Sequence, residues 1–218
     1  MLLSLSAVAL LSLTGTTTAC PTKPPSDSTS KGFNLQLRLA DPKKDLPTPV
    51  ANTYLTSIHV GAGLALVGNT DDISRARTFY VNGTDDEGSE KWTTISDGAT
   101  PPVPFGLSLV SEDTLNKYVR TAHLDAGEGS PGIFVTGEEG APELAPMNWM
   151  ACDEPLKYYQ DKHFNILKQR YYKDVPVPDE CVEIKLVPLC TELEELPSGS
   201  IASHEHAREI KCIKGPKN

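Results

Sequence analysis

Residues 33–39 read FNLQLRL, and this stretch decides the fold class. Its apolar residues stand at every second position, which is typical of a strand with one buried face. The stretch YLTSIHVGAGLALV at 54–67 predicts two more strands. We interpret its glycines as a bend or bulge and His59 as a strand residue, because a phosphate-binding loop needs a third glycine and a following helix.

Strand-like runs continue along the chain at intervals of about ten residues, separated by clusters of Gly, Pro, Asn and Asp. This spacing predicts an all-β fold, a single-domain antiparallel β-sandwich or barrel-like structure with irregular N- and C-terminal tails. The early part of 155–172 is ambiguous, because its pattern also fits a helix. The eight predicted strands cover 75–81, 91–95, 104–110, 118–124, 132–136, 147–152, 164–172 and 181–187.

The two ends of the chain differ from its middle. Residues 1–19 are uncharged and contain an apolar run that is shorter than the roughly 20 residues of a membrane-spanning helix, which predicts a signal peptide. A bacterial lipoprotein signal before Cys20 is the alternative, although the usual leucine three residues earlier is missing. We therefore divide the chain into a signal peptide (1–19), a Pro/Ser/Thr-rich tether (20–32), a β-rich domain (33–188) and a charged C-terminal extension (189–218), and we expect secretion without a membrane anchor.

Cysteine usage agrees with an extracellular protein. Cys152, Cys181, Cys190 and Cys212 lie in the last third of the chain and form the even set that two disulfides need, whereas Cys20 is left over. Cys181 and Cys190 would be roughly 30 Å apart on an extended strand, so they are not expected to pair. This favours 152–181 with 190–212, and leaves 152–190 with 181–212 as the alternative.

The charge balance excludes one class of partner. The net charge is −9 and no basic patch offsets it, so we expect no nucleic-acid binding. Asn82 opens the sequon Asn-Gly-Thr in a turn-like stretch, which makes it a candidate site of N-glycosylation in a secreted chain.

The sequence holds no convergent catalytic set. A glycoside hydrolase needs two carboxylates across a cleft, for which Asp125, Glu128, Asp153 and Glu154 are candidates, but solvated turns explain acidic residues as well. The segment 204–206, His-Glu-His, lacks a third metal ligand nearby. We expect neither a metal nor another cofactor, and we lean towards a protein that is not an enzyme.

Aromatic side chains are the candidate binding residues. If the tyrosine pairs lie on two-faced strands, one ring of each pair points away from the core. The tryptophans have a second explanation, because large aromatic residues are often buried in the core. The candidates are Trp92, Trp149, Tyr158, Tyr159, Tyr171 and Tyr172.

Several short motifs in a fixed order resemble a family of small secreted proteins of filamentous fungi, grouped as a domain of unknown function. The resemblance covers roughly Phe33 to Pro188 and implies a signal peptide, one β-rich domain and a bridge between Cys152 and Cys181. It implies no reaction. The motifs are YLTSIHVGAGL (54–64), FYVNGT (79–84), PFGL (104–107), GEGSPGIF (127–134), WMACD (149–153) and ECVEIKLVP (180–188).

These observations lead to a functional hypothesis. We expect a secreted fungal protein that binds a polysaccharide of the cell wall, or a host protein in the manner of an effector, through a face of the β-fold. The enzyme alternative is a carbohydrate-active hydrolase with a carboxylate pair.

Overall fold

The computed structural model describes residues 27–111, 118–137 and 141–215. The predicted signal peptide and Cys20 lie outside the described residues. Nearly all regular structure is β, with three 3₁₀ helices at Ile73–Arg75, Ser89–Lys91 and Lys157–Tyr159. The strands are β1 (Asp27–Ser30), β2 (Gly32–Leu39), β3 (Tyr54–Gly61), β4 (Leu64–Thr70), β5 (Tyr80–Asn82), β6 (Thr93–Gly98), β7 (Val103–Val110), β8 (Val119–Ala126), β9 (Val135–Thr136), β10 (Glu143–Leu144), β11 (Trp149–Leu156), β12 (Lys162–Arg170), β13 (Cys181–Thr191) and β14 (Ile210–Lys214).

Twelve of these strands form one sheet that closes on itself. β13 pairs with β2, β2 with β3, β3 with β4, β4 with β12, β12 with β11, and β11 again with β13. From this ring, β8, β7, β6 and β5 continue as an antiparallel run, and a bridge between Phe33 and Phe79 ties the end of that run to β2. The predicted all-β, barrel-like architecture is therefore confirmed.

The core lies inside this curved sheet and follows the alternation of the sequence. Phe33, Leu35 and Leu37 of β2 are buried, as the pattern of 33–39 predicts. They belong to one large apolar cluster together with Trp149 and Leu167. Because side chains alternate between the two faces of a strand, Phe33, Leu35 and Leu37 lie on the same face of β2, and that face is the one turned to the core.

The stretch 54–67 is a β-hairpin. β3 and β4 pair in register from Tyr54 onward, and the register shifts between His59 and Gly61 as a bulge. Gly63 has a φ of 69°, a conformation that glycine adopts without strain. The structural interpretation of His59 and the two glycines is confirmed.

Several strand boundaries differ from the prediction. The predicted strand at 75–81 begins only at Tyr80, because Asp72 accepts a hydrogen bond from the Ser74 amide (2.9 Å) and caps a 3₁₀ turn before it. The predicted strand at 164–172 ends at Arg170.

Both disulfides have the pairing that the sequence favours. Cys152 and Cys181 lie directly opposite each other on β11 and β13. Cys190 and Cys212 join β13 to β14, which run parallel. Because β1 pairs with β14, part of the predicted tether and part of the predicted C-terminal extension belong to the sheet. In the described part of the chain, no helix has the length and apolar character needed to cross a membrane.

Candidate functional site

The two tryptophans do not form a binding surface. Trp149 is buried in the core, and its indole nitrogen donates to the carbonyl oxygen of Leu144 at 3.0 Å. Trp92 is half-buried and lies under the guanidinium of Arg208, 3.9 Å from the ring centroid. Trp149 is therefore a core residue, which is the second explanation that the sequence offers for it, and it is not a binding residue.

The first tyrosine pair lies in the 3₁₀ turn between β11 and β12. The Tyr159 hydroxyl donates to the carbonyl oxygen of His59 (2.8 Å), and its ring packs 4.9 Å from that of Phe164. Tyr158 is 57% exposed and packs edge-on against His59. Tyr159 therefore joins this turn to β3, which is a structural role.

The second tyrosine pair is open to solvent. Tyr171 and Tyr172 follow β12 directly, and both rings are exposed because the chain has left the sheet, so no strand face buries either of them. Their ring centroids are 4.7 Å apart, and the ring of Tyr118, just before β8, lies 5.8 Å from that of Tyr172. The amide of Tyr171 donates to the carbonyl oxygen of Tyr118 at 2.7 Å. Pairing between β8 and β12 thus places three tyrosines together.

A cleft of about 640 Å³ opens beside these rings. We call it the tyrosine cleft. Its volume falls within the range of about 300–1,000 Å³ that is typical of small-molecule sites. Its walls are mostly apolar and carry one carboxylate. The residues lining it are Tyr118, Tyr172, Asp174, Val175, Pro176 and Pro178.

The loop after β12, which carries all but one of the residues lining the tyrosine cleft, is fastened by Arg170. This residue is buried, and its Nη1 donates to the carbonyl oxygens of Lys173 (3.0 Å) and Val175 (2.5 Å). Its Nη2 pairs with the carboxylate of Glu183 on β13. Burial lowers the pKa of the Arg170 guanidinium below its ordinary value. A charged side chain inside the fold therefore holds the loop in place.

A second cleft, of about 310 Å³, is lined by Tyr171. We call it the arginine cleft, because Arg120 lines it. The guanidinium of Arg120 lies 5.0 Å from the centroid of the Tyr171 ring, and burial lowers its pKa below the ordinary value. Other lining residues are Ser130, Pro131, Gly132, Pro146 and Gln169.

Three of the four candidate acids take part in pairs with basic side chains. Asp153 contacts His163 at 3.0 Å, Glu154 pairs with Lys168, and Asp125 lies 3.4 Å from His123. Asp125 also accepts a hydrogen bond from the Ala65 amide at 3.0 Å. Asp153 and Glu154 are neighbours on β11 and therefore point to opposite faces. These contacts account for the three carboxylates as structural groups.

His204 lies in a polar cluster. Its Nε2 is 2.6 Å from the carboxylate of Asp97, and its ring packs 4.8 Å from that of Tyr80. Burial and the charge of Asp97 raise the pKa of the Tyr80 hydroxyl. His206 lies apart, beside Arg208. Among the residues that the structure describes, no group of three or more His, Cys, Asp or Glu side chains could hold a metal ion.

The sequon lies at the end of a strand. Asn82 is the last residue of β5, half-buried, and forms a bridge with Ala207, while Gly83 and Thr84 continue without regular structure. Glycosylation of Asn82 stays a prediction.

Comparison with known proteins connects this fold to a family. Residues 30–190 match the model of a family described as a domain of unknown function, DUF7907. The chain belongs to this family. It is also 46% identical over 197 residues to the antigenic protein SchS34 of Stachybotrys chartarum, a match that covers 86% of this chain and 88% of that protein. No solved structure is significantly similar to it. The resemblance to fungal proteins that the motifs indicate is thus confirmed.

Two residues of the site escaped the sequence analysis. Tyr118 directly precedes β8, and Arg120 is the second residue of that strand. The spacing of two positions between Tyr118 and Arg120 is the signal in the sequence that could have pointed to them. Their proximity to Tyr171 and Tyr172, some fifty positions later, depends on the pairing of β8 with β12.

Proposed function

We propose that this DUF7907 protein is a secreted, non-enzymatic protein that binds carbohydrate in the tyrosine cleft. The observation that carries the proposal is the cluster of three exposed tyrosine rings, two of which, Tyr118 and Tyr172, line that cleft. An exposed group of large aromatic residues is uncommon on a protein that has no partner. Two disulfides and a fungal relative named as an antigenic protein are consistent with an extracellular location.

The chemistry of the tyrosine cleft suits a sugar. A pyranose ring has an apolar C–H face that packs on an aromatic ring, and a rim of hydroxyls that forms hydrogen bonds. Tyrosine offers a complementary surface, since each ring also carries a phenolic hydroxyl. Asp174 adds an acceptor for sugar hydroxyls at the lip of the cleft.

The non-enzymatic part of the proposal is supported by the pairing of the acidic residues. Asp125, Asp153 and Glu154 contact basic side chains of their own sheet. A glycoside hydrolase instead needs one carboxylic acid that is protonated and a second carboxylate facing it across the substrate.

The experiment that tests this proposal is a retention assay on insoluble chitin, β-glucan and cellulose, using the full chain secreted from a eukaryotic host. Retention should fall roughly five- to hundredfold in a Tyr171→Ala/Tyr172→Ala variant, because each ring contributes about 0.5–1.5 kcal/mol through stacking. Tyr158→Ala is the matched control, since this ring is equally exposed but lies at the other end of β12.

Each outcome of the assay decides between functions. Retention that depends on the Tyr171–Tyr172 pair supports the proposal, provided that the thermal unfolding midpoint of the variant is unchanged. Sugars released into the supernatant would instead favour the hydrolase. Absence of retention on all three polysaccharides would reject the binding of neutral cell-wall glycans in the tyrosine cleft.

A further inference from the structure

Hydrogen bonds to Gln169 hold one edge of the planar guanidinium of Arg120. Its Nε and Nη2 both donate to the side-chain oxygen of Gln169, at 3.1 and 2.7 Å. Gln169 is itself buried, and its amide nitrogen donates to the carbonyl oxygens of Met147 (2.8 Å) and Arg170 (2.5 Å). Because Nε and Nη2 share one edge of the planar group, the edge formed by Nη1 and Nη2 keeps donors that no acceptor of the described residues takes.

The charge of Arg120 is not neutralised by any residue of the described part of the chain. No carboxylate in residues 27–111, 118–137 or 141–215 lies within ion-pair distance of it, and its hydrogen-bond partner Gln169 is neutral. This is unexpected in a chain with 29 acidic and 20 Lys and Arg residues. A partly buried cation that no carboxylate of the described residues pairs with is costly, and that cost is recovered when an anion binds.

The arginine cleft and the tyrosine cleft are lined by two tyrosines that contact each other. Tyr171 lines the first and packs edge-on against Tyr172, which lines the second. The ring of Tyr171 also holds the guanidinium plane, since Arg120 lies 5.0 Å from its centroid. A linear ligand that packs on the tyrosines can therefore extend into the arginine cleft.

We propose that Arg120 is a specificity-determining residue that binds the carboxylate of an acidic sugar, so that the preferred ligand is a uronic-acid-containing glycan rather than a neutral one. The planar fork of arginine matches a carboxylate with two parallel hydrogen bonds, a geometry that lysine does not offer. This inference rests on the proposed carbohydrate function and adds the class of sugar to it. A peptide with a free C-terminal carboxylate carries the same anionic group, and the experiment separates the two sources.

The test is a titration calorimetry series on the purified full chain with three probes. These are trigalacturonic acid, its trimethyl ester, and an N-acetylated tripeptide with a free C-terminus. The ester keeps the size and stacking faces of the sugar but removes its charge. We expect the acid to bind at least tenfold tighter than the ester, since hydrogen bonds to charged groups contribute enough for a tenfold to hundredfold preference.

Variants of Arg120 test whether this residue causes the preference for the acid over the ester. Arg120→Gln should abolish the preference for the acid while changing the affinity for the ester less than threefold, and Arg120→Lys should retain part of it. Arg75→Gln is the matched control, because Arg75 is exposed, lies outside both clefts and loses the same charge. Arg75→Gln should keep the full preference, which separates binding at Arg120 from a change in net charge.

The results that would contradict the role of Arg120 differ from those that would contradict the proposed function. Equal affinity for acid and ester in the unmodified chain, or an undiminished preference in Arg120→Gln, would overturn the inference and leave the proposed function standing. Absence of binding to either sugar, together with no retention on the insoluble polysaccharides, would overturn both. Binding of the tripeptide alone would also overturn both and assign the clefts to a protein partner.

Discussion

Arg170 offers a direct test of how the loop of the tyrosine cleft is held. We expect Arg170→Met to destabilise the protein, because the side chain forms hydrogen bonds with two loop carbonyls and an ion pair with Glu183. Methionine keeps the length and the apolar stem of the buried side chain but forms none of these interactions.

The magnitude follows from the contacts. Hydrogen bonds to a charged group contribute about 1.5–3 kcal/mol each when buried, but the loop carbonyls and Glu183 can return to water after the substitution, which reduces each loss to about 1 kcal/mol. The Nε of Arg170 is buried and has no hydrogen-bond partner among the described residues, so its removal offsets part of the loss. We therefore expect a net loss of about 2–3 kcal/mol in the free energy of unfolding.

Two assays check this expectation. Thermal unfolding should show a midpoint lowered by about 5–10 °C, given about 2–4 °C per kcal/mol for a chain of this size. Limited trypsin digestion should cleave after Lys173 sooner than in the unmodified protein, because the loop is released before the fold is lost. Arg75→Met is the control, since its side chain is exposed. A free energy of unfolding within 0.5 kcal/mol of the unmodified protein, with unchanged cleavage at Lys173, would refute the role assigned to Arg170.

Three further substitutions test the fold. Gly106→Ala should cost more than about 3 kcal/mol and lower the secreted yield, because a Cβ there would overlap the main chain of the facing loop, and normal yield would contradict that packing. Replacing both Cys190 and Cys212 by serine should lower the free energy of unfolding by about 3 kcal/mol, measured by urea denaturation, whereas an unchanged midpoint would mean that the bridge is absent from the secreted protein. Trp149→Phe should cost about 2–3 kcal/mol in the same assay, because it leaves the buried Leu144 carbonyl unpaired and opens a small cavity; a cost below 1 kcal/mol would contradict this account.

Much of the fold could be predicted from local patterns. The alternation at 33–39 predicts β2 and its buried face, and the glycines after His59 predict the bulged hairpin of β3 and β4. Eight strands predicted at regular spacing indicate the all-β class, although the observed strands begin or end several residues away from the predicted bounds. Boundaries depend on caps and side-chain contacts, such as that of Asp72 with Ser74, that periodicity does not report.

The candidate site was predictable only in part. The sequence contains two tyrosine pairs, Tyr171–Tyr172 and Tyr158–Tyr159. Nothing in the sequence indicates which of the two pairs borders a cleft. The structure separates them, because the Tyr159 hydroxyl is engaged by β3, whereas Tyr171 and Tyr172 border open clefts.

Features that depend on near neighbours along the chain, such as the strands and the bulge, could be predicted from the sequence alone. The sequence also gives the number of cysteines and the motifs that indicate the family. Only the tertiary structure decided which strands pair, and therefore that Tyr118 and Arg120 of the β8 region meet Tyr171 and Tyr172 after β12. It also brought residues 27–30 and 210–214 into the sheet as β1 and β14. The physical reason is that side-chain periodicity is a local property, whereas strand pairing depends on how the whole chain buries its apolar faces at once.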